Sequence, residues 1–114
     1  NPYTTILGHP TGRLLLSRAG YPLDFKKIID ACAANNVVIE INANPLRLDL
    51  DWRWHRYALE QGVLLSVNPD AHRTEGLNDM HYGVFVGRKG GLSKDKCLNA
   101  MNLEDITNFF QKNK

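Results

Sequence analysis

The sequence predicts an α/β protein in which short parallel strands alternate with helices. Three observations predict it. Three short, mostly apolar or β-branched runs suit strands covered on both faces: Tyr3 to Leu7 (YTTIL), Asn36 to Ile41 (NVVIEI) and Val63 to Val67 (VLLSV). Segments with helical spacing of apolar residues separate them. Each run ends in polar or chain-breaking residues, so strand, loop and helix repeat in that order, and strands joined through helices should be parallel. Such an order fits a doubly wound sheet or part of a (β/α) barrel.

The elements follow in order. YTTIL stops at Gly8, His9 and Pro10, a breaker cluster. Arg13 to Arg18 reads as a helical turn or two. Asp24 is a good N-cap with Leu23 before it as a staple residue, and Phe25, Ile28, Ile29 and Cys32 recur at helical spacing, so a helix is predicted from Asp24 to Asn35. After the second strand, NANPLRLDLD is a polar loop containing Pro45. Asp51 can cap a second helix, Trp52 to Gln61, with Gly62 beyond its end. The third strand runs into NPDAHRTEG, followed by a helix from Leu77 to Arg88 that Gly83 and Gly87 weaken. Asn102 can cap a final helix bearing Leu103, Ile106, Phe109 and Phe110. Without a linker or low-complexity tract, residues 1–114 read as a single domain.

Composition limits the function. The 114 residues suffice for one domain with a modest core. A hydrophobic fraction of 43% and a charged fraction of 23% are ordinary for a soluble globular protein. The net charge of +2 is too small to argue for nucleic-acid or membrane binding on its own. No apolar run approaches the roughly 20 residues a bilayer span needs, so no membrane partner is expected. The N-terminus lacks the basic and apolar segments of a signal peptide. It also lacks Met, which suits a piece of a longer protein. Cys32 and Cys97 fall in no CxxC or zinc-finger spacing, so neither a disulfide framework nor Cys-ligated zinc is expected. Cys32 reads as a buried thiol, and a reducing, cytoplasmic setting follows.

In parallel α/β structures the functional site lies beyond the carboxyl ends of the strands. His9 and Arg13 stand there after the first strand. Glu40 and Asn42 stand at the end of the second, with Asn44 and Arg47 beyond. Asp70, His72 and Arg73 follow the third. Imidazole and carboxylate together suit zinc, manganese or iron. Asp70 and His72 are two apart, which places both side chains on one side of an extended segment. A metal so held can polarise a phosphoryl oxygen and lower the pKa of bound water. Arg13, Arg47 and Arg73 are candidates for phosphate contact, since guanidinium matches phosphate geometry. The reaction class suggested is metal-dependent phosphoester hydrolysis. His9 alone reads more simply as a solvated loop residue, and a single D-x-H arises often by chance. Their joint occurrence at equivalent strand ends, each with an arginine beside it, carries the reading. Glu40 could be a ligand, a partner behind a ligand, a base, or half of a strand-end salt bridge to Arg13 or Arg47. His55 is expected to be partly packed in its helix, and His81 lies near the third loop. Trp52 and Trp54 are better placed for packing than for stacking on bases, and GRKGG reads as a helix terminus. Three protein ligands make one catalytic zinc site at best, and with neither HxH nor HExxH present, further ions would need ligands from elsewhere.

ILGHPTGRLL, IEINANPLRLDLD and SVNPDAHRTEGLNDMHYGV, in this order, resemble the C-terminal part of the PHP (polymerase and histidinol phosphatase) domain, more narrowly the one attached to bacterial family X DNA polymerases. The match runs from about Ile6 to the final helix and includes the LNAM turn at Leu98 to Met101. The resemblance implies a distorted (β/α)7 barrel with up to three metal ions at its C-terminal rim. It implies that His9 is a metal ligand and that Asp70 and His72 are the last two ligands of the cluster. It sets Glu40, in the E-x-N motif, near the site but outside the ligand set, and makes phosphate contact plausible for Arg13 and Arg47. Pro69 departs from the family's usual Ser. The family's opening H-x-H, its next His and its bridging Glu have no counterpart here, nor has the polymerase domain. The chain therefore matches roughly the last three β/α units of seven.

Relatives of this kind combine DNA synthesis for gap repair with metal-dependent 3′-to-5′ exonuclease or related phosphoesterase activity. The resemblance implies zinc or manganese as cofactor, and DNA and the rest of the barrel as partners. This chain alone should have little or no activity and bind one metal weakly. A cut barrel leaves two open sheet edges and exposed apolar surface, so a homo-oligomer is expected. Two alternatives stand beside this reading. One is a stand-alone phosphatase of a small ester such as histidinol phosphate. The other is a catalytically dead module whose loop arginines hold nucleic acid or a partner.

Overall fold

The computed structural model describes residues 1–112 and bears out the α/β class; the last two positions of the expected domain lie outside the described residues. Strands β1 (Ile6–Leu7), β2 (Val38–Asn42) and β3 (Leu65–Asn68) form one parallel sheet in the order β1-β2-β3. Leu7 lies opposite Ile39, Ile39 opposite Leu65, and Asn42 opposite Asn68. Helices α1 (Phe25–Ala34) and α2 (His55–Glu60) connect the strands, and α3 (Met80–Lys89) and α4 (Leu103–Lys112) follow them. The sheet is open, and among the described residues no strand lies beyond β1.

Helix α1 follows its sequence signals. The Asp24 carboxylate accepts the Lys27 N–H at 3.1 Å, and Ile29 and Cys32 face the core. The second helix begins differently from expectation. Asp51 accepts the Arg53 N–H at 3.0 Å, which tightens Trp52–Trp54 into a 3₁₀ turn ahead of α2. Gly62, at φ 85°, ends the segment as expected. The third helix is preceded by a longer 3₁₀ stretch, Thr74–Asp79. Its glycines weaken helix propensity but permit the packing. A Cβ on Gly83 would come within 2.6 Å of Ala43 Cβ and 2.5 Å of Val67 Cγ1, so only glycine lets α3 lie this close to the sheet. In α4 the Asn102 side chain caps the Asp105 N–H at 2.8 Å.

Two local expectations need correction. Arg13 to Arg18 is not helical. It is a tight turn in which the Leu14 N–H donates to the Arg18 carbonyl at 2.9 Å and the Arg18 N–H to the Leu14 carbonyl at 2.7 Å, with Leu16 left-handed at the tip. Its consecutive leucines offer no helical stripe to bury, and Leu16 is fully exposed. The first strand shrinks to two residues because the Thr4 N–H turns back to the Asn1 carbonyl.

Ile39, Ile41, Leu65 and Val67 join Ile29, Cys32, Leu50, Ala58 and Val63 in the core. Cys32 is a buried free thiol, as expected, and burial pushes its pKa up. The alternate residues are Val38 at the start of β2 and then four polar ones. Glu40 pairs with Ser66 and Asn42 with Asn68, so these four side chains share the opposite face of the sheet.

The expectation of two open edges holds for one side only. Beyond β3, the Val67 N–H donates to Asn99 Oδ1 at 2.8 Å and Asn99 Nδ2 donates to the Val67 carbonyl at 2.8 Å. Leu65 also bridges Cys97. A side-chain amide thus satisfies the backbone groups that a further strand would use.

Candidate functional site

The site grows from the polar row of β2 and β3. Glu40 is at mid-strand, and its carboxylate reaches both neighbours. One oxygen, Oε2, accepts the His9 backbone N–H at 2.7 Å; the other, Oε1, accepts from Asn68 Nδ2 at 2.9 Å. Asn42 Nδ2 donates to Asp70 Oδ2 at 3.1 Å, and the Asn42 carbonyl oxygen Oδ1 accepts the Asn44 N–H at 3.0 Å. Ser66 Oγ donates to Asn68 Oδ1 at 2.9 Å. The loops after all three strands are therefore tied to one hydrogen-bonded row, as the strand-end rule anticipates. Asn68 was not singled out from sequence. Its signal is the alternation of Glu40 and Asn42 with Ser66 and Asn68 in matching register.

His9 and Asp70 both have left-handed backbones, with φ of 22° and 53°. Such conformations are costly for side-chain-bearing residues and concentrate at functional sites. The His9 side chain is without a polar partner among the described residues. His72 Nδ1 donates to the Asp70 carbonyl at 2.8 Å, since a carbonyl can only accept. The same Nδ1 is 3.9 Å from Asp70 Oδ1. Arg47 Nε approaches Asp70 Oδ2 at 3.6 Å. Arg73 lines an open cleft with Asp70, His72, Glu75 and Asp79.

Arg13 turns inward. Its Nε donates to the Arg47 carbonyl at 2.7 Å, Nη1 to Asp51 Oδ2 at 2.9 Å, and Nη2 to the Leu48 carbonyl. These bonds occupy three of the five guanidinium N–H groups and hold Arg13 against the loop after β2. Burial tends to raise the Asp51 pKa, but hydrogen bonds from Arg53 and Arg13 outweigh it and hold the carboxyl well below the usual range.

The other sequence candidates fall outside the row. His55 is fully buried rather than partly packed, with Nε2 donating to the Leu50 carbonyl at 2.8 Å, and burial pushes its pKa down. His81 is exposed, its ring 4.0 Å from that of Tyr82. Trp54 stacks on Phe25 at 5.1 Å, and the Lys89 ammonium lies 4.5 Å from the Trp52 ring centroid, so both indoles have packing roles.

The donor types suit a divalent cation, but their number does not complete a coordination shell. Among the described residues no three His, Cys, Asp or Glu side chains are grouped closely enough to hold an ion. His9 lies on one side of the Glu40–Asn42 bridge, and Asp70 and His72 on the other.

No family model matches the sequence. Over 113 residues the chain is 44% identical to the DNA polymerase/3'-5' exonuclease PolX of Bacillus subtilis (strain 168), covering 99% of this chain and 20% of that protein. Two probable phosphatases, from Thermoanaerobacter sp. (strain X514) and Thermoanaerobacter pseudethanolicus (strain ATCC 33223 / 39E), are each 28% identical over 106 residues, covering 88% of this chain and 41% of each. The chain thus spans a fifth of the first relative and about two fifths of the others. Among the described residues no helix is long and apolar enough to cross a membrane.

Proposed function

We propose that this chain forms the last three β/α units of a PHP-type phosphoesterase barrel in a DNA-repair protein related to family X DNA polymerases. The supporting observation is the polar row: Glu40 and Asn42 connect the His9 loop to the Asp70–His72 loop at the carboxyl end of a parallel sheet. The 44% identity to a protein named both polymerase and 3'-5' exonuclease supports the same reading. His9, Asp70 and His72 would contribute ligands to a divalent metal, zinc or manganese, with further ligands supplied from outside this chain. Such an ion would polarise the phosphoester and activate water. Glu40 holds the His9 loop in place from outside the ligand set, and Arg47 and Arg73 face the substrate phosphate. DNA and the rest of the barrel are the partners, the setting is cytoplasmic, and the isolated chain has little or no activity.

The test is release of nucleotides from the 3′ end of a single-stranded oligonucleotide in manganese, by the polypeptide that carries this chain with an H-x-H segment. Loss of release in His72→Ala, together with loss of metal by elemental analysis, is expected. Retention of both by that variant contradicts the proposal. The probable-phosphatase relatives favour a second reading, hydrolysis of a small phosphate ester. Turnover of such an ester without oligonucleotide degradation would select it.

A further inference from the structure

We infer that Asp49 is a positioning residue which, together with Arg13, locks the loop after β1 onto the loop after β2 and so fixes where His9 stands. What His9 does there rests on the reading just given; how it is held does not. Asp49 is completely buried. Its Oδ2 accepts three bonds: the Thr11 N–H at 2.9 Å, the Thr11 hydroxyl at 2.8 Å and the Gly12 N–H at 3.1 Å. Its Oδ1 has no hydrogen-bond partner among the described residues. A carboxylate is expensive to bury, so one that is kept there is expected to organise its surroundings.

Arg13 completes the lock from the other side. It donates to the Arg47 and Leu48 carbonyls and to Asp51, while Arg47 Nη1 returns a bond to the Arg13 carbonyl at 3.3 Å. The Leu15 N–H adds a bond to the Leu46 carbonyl at 2.5 Å. HPTGR and RLDLD, apart in sequence, thus exchange contacts in both directions. The consequence falls on His9. Its φ of 22° is unfavourable and persists only if the surroundings over-determine it. Glu40 holds the His9 N–H, and the Gly12 N–H holds its carbonyl at 3.0 Å while also bonding Asp49. Asp49 bonds neither His9 group itself; it anchors the Thr11–Gly12 segment that carries the second restraint, so removing it lets that segment move and the His9 carbonyl with it.

Amide hydrogen exchange and the His9 ring signal by NMR, measured on the whole chain, test the lock. In Asp49→Ala the Thr11 and Gly12 amides are expected to lose at least about tenfold of their protection. The His9 ring signal should move toward its unfolded position, while the Ile39 amide in the sheet keeps its protection. Asp49→Asn retains an acceptor oxygen and should restore most of both. If Asp49→Ala does not fold, Thr11→Val, which removes the hydroxyl's bond to Asp49 and its acceptance of the Arg13 N–H at 3.3 Å but keeps both backbone bonds to Asp49, should show the same two changes in smaller measure. An unmoved His9 ring signal in the folded variant, or equal loss of protection across the sheet, overturns the inference. Neither readout involves metal or phosphate. A chain that fails to bind metal but passes here would therefore refute the proposed function and leave the lock standing.

Discussion

His55 shows what a single residue's surroundings do to stability. Its ring is closed in by the Gly90 backbone, and Nδ1 has no partner among the described residues. Burial, only partly offset by the Leu50 carbonyl, holds its pKa below the ordinary 6.5. The unfolded chain therefore takes up a proton as pH falls below 6.5 while the folded chain resists it, so His55 makes stability fall toward acid. The melting temperature of the chain is expected to drop between about pH 7.5 and pH 5, a range that brackets the ordinary histidine value, and His55→Gln should flatten that slope. An unchanged slope would contradict the assignment. At this scale strand ends give sequence a place to look, and His9, Asp70 and His72 are candidates on that ground. Asp49 is not, because DLD in a polar loop looks like solvated charge, and only tertiary contact reveals that one of these carboxylates is buried.

At the scale of elements, capping signals read well and packing constraints did not. Asp24 and Asn102 cap their helices as their types suggest. The turn at Leu14 to Arg18 defeated the helical reading because leucine favours helix locally while the glycines around it and the left-handed Leu16 decide the path. Gly83 was counted against α3, yet contact with Ala43 and Val67 makes it a requirement of α3 packing. Gly83→Ala should gain helix propensity and still lose stability, by about 1–3 kcal/mol from overpacking, in urea denaturation. A more stable variant would show that α3 is free to move off the sheet. Asn99 carries a second element-scale consequence. Asn99→Ala leaves the Val67 N–H and carbonyl unpaired, which should cost about 1–3 kcal/mol.

For the whole molecule, the parallel order of three strands was legible because apolar runs alternated with helical spacing. Barrel closure belongs to the proposed reading, because the described residues form only an open three-stranded sheet. The β3 edge is sealed by Asn99, and β1 remains open with Ile6 partly exposed. We expect the isolated chain to self-associate through β1, seen as a mass above 12.9 kDa by light scattering. A monomer at high concentration would contradict that expectation. Asn99→Ala should associate more strongly than the wild type, because it opens a second edge.

On the proposed function, the loops after β1 and β3 contribute to one metal-binding rim. Titration of the isotopically labelled chain with manganese, followed by paramagnetic broadening, addresses it most directly. The ring signals of His9 and His72 and the Asp70 amide are expected to broaden together before any others, and His72→Ala to abolish the effect at His9 as well. Broadening confined to the Glu75 and Asp79 surface, or none at His9 while His72 responds, would contradict it.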